Sequence, residues 1–235
     1  MSGPVRIGGT ELGRRPCIIA AGGEPELDAL ARADGADLVE LRADLFAHPS
    51  VDGIRDALER LRSGGRPIVL TVRAAAEGGR AMPDDRRQAI YEAGLELADA
   101  IDVEIASAAL VAALVPAARR AGRTVVLSTH DFDGTPARTE LLARVARAFD
   151  LDADVAKVAT HATSLAELQV LIDVTRGVAP SPIATLAMGP MGPLSRFVLS
   201  AAGSVLTYAS VGAPTAPGQM PLPELAALVR RLFPV

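Results

Sequence analysis

Short apolar runs alternate with longer amphipathic segments along nearly the whole chain, and this alternation constrains the fold more than any other feature. The apolar runs predict strands at 16–20, 37–42, 67–72, 100–105, 124–128, around Lys157, 182–187 and 204–208. The amphipathic segments predict helices at 24–33, 51–62, 84–99, 108–121, 136–149, 164–176, 193–202 and 223–232. Ile54, Leu58 and Leu61 show the helical spacing, and Ser63-Gly64-Gly65 stops that helix. Thr135 is placed as an N-cap with Pro136 at the first helical position. Ser164 with Glu167 forms a capping box. Regular strand–helix alternation predicts an α/β protein with a parallel sheet. Eight repeats within 235 residues suit a (β/α)8 TIM barrel, and no Gly-x-Gly-x-x-Gly turn follows the first strand to favour a dinucleotide fold. The chain reads as one barrel domain over 1–235, with 1–15 a short N-terminal extended segment turning at Gly8-Gly9.

The remaining composition narrows the partners. A net charge of −4 without a basic block argues against nucleic acid, as does an aromatic content of 3% with no Trp. Cys17 is the only cysteine and sits in an apolar run, so it reads as a small buried hydrophobe. No secretory h-region opens the chain and no apolar stretch is long enough to span a bilayer, so a cytoplasmic location with no membrane contact is expected. Three histidines without metal-site spacing, and carboxylates without a calcium-loop pattern, predict no metal.

Lys157 is the only lysine, and every other basic side chain is arginine. Arg keeps its proton in proteins and cannot attack a carbonyl. Lys can, once burial or neighbouring charge destabilises its ammonium. Lys157 is therefore a Schiff-base candidate, with a snorkelling strand-end Lys as the bland alternative. A barrel places its active site at the C-terminal ends of the strands. Polar residues recur there: Glu40 and Arg42, Arg73 with Glu77 beyond it, Glu104, His130, Lys157, Arg196 and Gln219. Glu40 and Arg42 share a strand face and could pair with each other or with substrate. Glu104 is an internal counter-charge or a substrate contact. His130 is the acid–base candidate, because its ordinary pKa lies near neutrality. His48 reads as a surface residue, and His161 lies near the mouth. Arg196 reads on sequence alone as an exposed helical Arg; as a binding residue it suits a carboxylate, with phosphate the alternative ligand.

This set resembles the type I 3-dehydroquinate dehydratases, from about Pro16 to the C-terminus. The resemblance rests on Glu40-Leu41-Arg42-Ala43-Asp44, Thr71-Val72-Arg73 with Glu77-Gly78-Gly79, Ser128-Thr129-His130-Asp131-Phe132, Val155-Ala156-Lys157, Met188 with Ser195-Arg196, and Ala216-Pro217-Gly218-Gln219. It implies that Lys157 forms an imine with the C3 ketone of 3-dehydroquinate and that His130 moves protons, oriented by Glu77. It implies that Arg196 holds the substrate carboxylate. Glu40, Arg42, Arg73 and Gln219 would bind ring hydroxyls, and Met188 and Tyr208 would line the pocket. The loop from 212 to 219 would act as a lid, with Thr215 where relatives commonly have Ser and Tyr208 where they often have Phe. No cofactor and a homodimer are also implied. A class I aldolase on the same barrel is the first alternative, and a non-catalytic binding barrel the second.

Overall fold

The computed structural model describes residues 4–234. Eight parallel strands form the barrel: β3 (Cys17–Gly22), β4 (Leu38–Arg42), β5 (Ile68–Thr71), β6 (Ala100–Glu104), β7 (Thr124–Asp131), β8 (Val155–His161), β9 (Ile183–Met188) and β10 (Leu206–Ser210). They pair in the order β10-β3-β4-β5-β6-β7-β8-β9. Closure between β9 and β10 comes from Val205 N–H donating to the Ile183 carbonyl at 2.9 Å. Thr185 N–H, donating to Ser204 Oγ at 3.0 Å, joins it. The chain is a (β/α)8 barrel, as its alternation predicts.

Two preceding short strands, β1 (Arg6–Ile7) and β2 (Thr10–Glu11), form an antiparallel hairpin that turns at Gly8-Gly9. Gly8 lies at φ +54°, which suits glycine. Ile7 and Leu12 pack with Cys17, Leu38, Val69, Ala100, Val126 and Val155, so the hairpin plugs the end of the barrel where the strands begin. Cys17 is buried within that plug.

Alternation along each strand sorts side chains into two cores. Ile18, Ala20, Val39, Leu41, Leu70, Ile101, Val103 and Leu127 face outward and meet the helices. Those helices are α1 (Leu27–Ala31), α2 (Val51–Arg62), α3 (Asp84–Gly94), α4 (Ala108–Arg120), α5 (Arg138–Asp150), α6 (Leu165–Val178), α7 (Gly192–Ala202) and α8 (Leu222–Leu232). On α2 the residues facing the sheet are Ile54, Ala57, Leu58 and Leu61, and Ser50 Oγ caps it by accepting from Gly53 N–H at 3.1 Å. Burying each such side chain contributes about 1.5–3 kcal/mol. An aspartate stands before β4, β6 and β8 and accepts a backbone N–H from the strand preceding it, and Ser204 fills that place before β10. Asp37 takes Ile18 N–H, Asp99 takes Ile68 N–H, and Asp154 takes Val125 N–H, at 2.7–2.8 Å. These bonds satisfy donors at the plugged end that would otherwise be buried without partners.

Four local expectations change. Residues 24–26 form a 3-10 turn before a short α1, because Pro25 fits the first turn. α3 ends at Gly94 instead of 99, because the Ala98 and Asp99 backbone turns back to begin β6. Thr135 does not cap α5. Its hydroxyl bonds Thr160 Oγ1 at 2.8 Å and the His161 carbonyl at 2.9 Å, so the helix starts at Arg138 after Ala137. The loop after β10 is partly ordered as a strand, β11 (Met220–Pro221), parallel to β10. The capping box of α6 is formed as expected, with Ser164 Oγ accepting from Glu167 N–H at 3.3 Å.

Candidate active site

The plugged end leaves one open mouth, at the C-terminal ends of the strands. A cleft of about 530 Å³, counted out to the open mouth, lies there. Its floor is set by the inward positions of the strands, and the polar ones cluster on β4 to β8.

Lys157 projects inward from β8 between Val155 and Ala159, both inward themselves. Its Nζ lies 2.7 Å from Asp102 Oδ2 and 3.8 Å from Glu40 Oε1. The ring of Tyr208 covers it, with Nζ 4.2 Å from the centroid. Lys157 is 4% exposed, so its ammonium does not snorkel to bulk water. Two carboxylates and an aromatic face thus surround this nitrogen.

Asp102 is the group that the sequence reading passed over. It is fully buried on β6, two residues before Glu104 and on the same face. It binds Lys157, Arg73 Nη2 at 3.0 Å and the Ser128 hydroxyl at 2.6 Å. Burial opposes its charge, but Arg73 and Lys157 together hold its carboxyl below the usual range. Glu104 is an internal counter-charge: it accepts from Arg73 Nη1 at 2.9 Å and pairs with Arg87 of α3.

Arg73 is held by Asp102, Glu104 and Ser128 through Nη1 and Nη2, and it also lines the cleft. Glu40 and Arg42 do not pair with each other. Glu40 accepts from Thr71 Oγ1 at 2.8 Å. Arg42 forks onto Asp44 through Nε at 2.9 Å and Nη2 at 2.8 Å. Asp44 also accepts Arg73 N–H at 3.1 Å, which ties the end of β4 to the end of β5.

His130 ends the inward set on β7. Glu77 Oε2 lies 2.9 Å from its Nδ1 and also accepts its backbone N–H at 2.9 Å. Burial, then the charges of Arg73 and Lys157, push the imidazole well below its ordinary pKa. Burial pushes the Glu77 carboxyl up to about 7. A neutral imidazole donating Nδ1–H to Glu77 keeps Nε2 free as a base. Glu77 reaches this point on a tight turn that depends on its glycines. Gly78 sits at φ +86°, and a Cβ on Gly79 would lie 2.0 Å from the Arg73 carbonyl oxygen.

Arg196 of α7 lines the far side of the cleft and is 4% exposed. Its polar contacts are the Ala187 carbonyl at 3.4 Å and Ser195 Oγ at 3.2 Å, and among the described residues its Nε has no partner. Burial alone pulls its pKa down to about 10. Arg42, Arg73 and Arg87 each have a carboxylate in hand, and among the described residues Arg196 has none. A buried cation left without a counter-ion is a receptor for an anion.

The 212–219 loop roofs the cleft. Gly189 N–H donates to the Pro217 carbonyl at 3.1 Å, and a Cβ on Gly218 would clash with the Gly189 oxygen. Gln219 Oε1 accepts from Thr215 N–H at 2.8 Å and from its hydroxyl at 3.2 Å. Met188, Thr215, Gln219 and Tyr208 all face the cleft, as does Phe132 beyond β7. His48 is exposed, and the His161 ring lies over Gly189, outside the cleft. Among the described residues no group of three or more His, Cys, Asp or Glu side chains could hold a metal ion. None of their helices is long and apolar enough to cross a membrane.

Comparison with known proteins follows this geometry. The profile of the type I 3-dehydroquinase family matches residues 20–233. The 3-dehydroquinate dehydratase of Methanosarcina acetivorans is 34% identical over 97% of this chain and 99% of its own. That of Aquifex aeolicus is 33% identical over 86% of this chain and 91% of its own. Among solved structures, a type I 3-dehydroquinate dehydratase from Clostridium difficile, solved with covalently modified comenic acid, superposes with a TM-score of 0.90. It is 28% identical, and 99% of both chains is covered.

Proposed function

The chain belongs to the type I 3-dehydroquinase family, and on that premise we propose that it dehydrates 3-dehydroquinate to 3-dehydroshikimate through an imine on Lys157. This is a carbon–oxygen lyase reaction of the shikimate pathway. The observation that carries the reading is the meeting, in one cleft, of the only lysine with the His130–Glu77 pair.

Deprotonated Lys157 Nζ adds to the C3 carbonyl, and the carbinolamine loses water to give an iminium. Asp102, Glu40 and the Tyr208 ring stabilise that cation as they stabilise the ammonium. His130 Nε2 removes a C2 proton, and the electron pair flows to the iminium nitrogen. The C1–O bond then breaks, and the hydroxyl leaves as water with the proton held by His130. Water hydrolyses the conjugated iminium, which frees product and Lys157. One water is lost overall.

Arg196 receives the substrate carboxylate, the anion its burial lacks. Glu40 and Gln219 meet ring hydroxyls, and Thr215 sets the Gln219 side chain. Met188 supplies apolar wall. Arg42 and Arg73, which also line the cleft, bind ring hydroxyls while fixing Asp44, Asp102 and Glu104. The lid excludes water and protects the imine. No cofactor enters this scheme.

The same premise carries two expectations about context, a homodimer and a cytoplasmic location. Light scattering on the purified chain tests the first. For the activity, purified protein is given 3-dehydroquinate, and 3-dehydroshikimate is followed by its ultraviolet absorbance. Cleavage of sugar phosphates with no action on 3-dehydroquinate would favour the aldolase reading, and tight binding without turnover the non-catalytic one.

A further inference from the structure

The chain has two tyrosines, and the barrel treats them oppositely. Tyr91 is fully buried with its hydroxyl saturated: it accepts Val72 N–H at 2.9 Å and donates to the Asp102 carbonyl at 2.6 Å. Tyr208 is also buried, yet among the described residues its hydroxyl has no hydrogen-bond partner. Buried phenol hydroxyls ordinarily find a partner, because leaving one unmade costs its full desolvation. Tyr208 also differs from Tyr91 in lining the cleft, where a bound molecule can supply the partner.

Its ring is fixed as well. Tyr208 stands on β10 opposite Ile19 of β3, and its face covers Lys157 Nζ at 4.2 Å. The hydroxyl lies para on that ring, one ring radius and a C–O bond from the centroid. It therefore sits on the same cleft-lining side chain whose ring face covers Nζ. Burial and the nearby Glu40 and Asp102 carboxylates keep the phenol protonated, so it remains a donor.

We propose that Tyr208 is a substrate-binding residue with two separable parts, its hydroxyl donating to a substrate oxygen beside the imine carbon and its ring face holding the cationic nitrogen. This rests on the dehydratase reading. The hydroxyl makes a contact present in bound substrate and transition state alike, so its loss falls chiefly on KM. The ring acts on the nitrogen charge that persists through the reaction, so its loss falls on kcat. A site with an unsatisfied hydroxyl also selects against substrates lacking the matching oxygen.

The test compares wild type, Tyr208→Phe and Tyr208→Leu in steady-state turnover of 3-dehydroquinate, with the folded state of each checked by thermal melting. Tyr208→Phe keeps the ring and fits the same space. It is expected to raise KM at least tenfold, with a smaller change in kcat. Tyr208→Leu is expected to show that KM effect and a further tenfold fall in kcat. KM within twofold of wild type in Tyr208→Phe would overturn the hydroxyl contact. Equal kcat in the two variants would overturn the role of the ring. If Tyr208→Leu does not fold, the Tyr208→Phe result still decides the hydroxyl. Wild type without product would instead count against the dehydratase reading, so the two failures are distinct.

Discussion

Lys157 Nζ and Asp102 Oδ2 stand 2.7 Å apart at the floor of the barrel, and Asp102 also holds Arg73 at 3.0 Å. One buried carboxylate thus serves two buried cations. Asp102→Asn leaves both without their main counter-charge. It is expected to destabilise the fold by about 3–5 kcal/mol, measured by urea unfolding. A loss below about 1 kcal/mol, the scale of an exposed pair, would show that Asp102 is not the anchor of the cluster.

The His130–Glu77 contact sets a pH dependence. Above about 7 the Glu77 carboxylate accepts Nδ1–H, and Nε2 keeps the lone pair that takes the substrate proton. As pH falls through that value Glu77 gains a proton, the acceptor charge is lost, and the tautomer is no longer held. Turnover is therefore expected to rise as pH climbs through about 7. Gln in place of Glu77 cannot titrate, so Glu77→Gln should be slower and should lack this limb. A pH–rate profile of Glu77→Gln with the same limb as wild type would assign it to another group.

Arg196 is stored at a cost to stability. Arg196→Met removes a buried cation with an unpartnered Nε and keeps the apolar stem. The variant is expected to be more stable than wild type by about 1–4 kcal/mol. Binding should weaken by about 2–5 kcal/mol, a KM rise of ~30-fold or more. Thermal melts and steady-state kinetics on one preparation read both. A variant that is destabilised and binds normally would mean that Arg196 is structural.

Gly79 tests whether backbone, and not only side chains, positions Glu77. A Cβ there would lie 2.0 Å from the Arg73 carbonyl oxygen, so Gly79→Ala must move the turn that carries Glu77. Activity is expected to fall about 10–100-fold, as for a misplaced catalytic group. Global stability should change by about 1–3 kcal/mol. Full activity in Gly79→Ala would show that the turn can relax without cost.

Much of the barrel was legible because its signals are local. Helical spacing in α2, the capping box at Ser164 and the apolar strand runs each depend on neighbours in the chain. The site was legible in part for the same reason: strand ends carry function in this architecture, so Lys157, His130 and Arg196 could be placed at one mouth. What sequence did not show was partnership across strands, which depends on register and barrel tilt. Glu104 was noticed and Asp102 was not, although both share one face of β6. Arg42 turned out to hold Asp44, and Arg73 to hold two carboxylates. Thr135 looked like a cap by composition, but two partners on β8, the His161 carbonyl and the Thr160 hydroxyl, take its hydroxyl instead. Only the folded geometry reveals that Arg196 and Tyr208 carry polar atoms with no partner among the described residues.

The central claim is a covalent bond between Lys157 and the substrate ketone. The most direct measurement is intact mass after borohydride reduction in the presence of 3-dehydroquinate, followed by peptide mapping. Because the chain has a single lysine, an imine can form only there or at the N-terminal amine. The expected result is one reduced adduct on the peptide carrying Lys157, absent from Lys157→Ala and Lys157→Arg, neither of which turns over. Turnover with no trapped adduct, or an adduct confined to the N-terminal peptide, would contradict it.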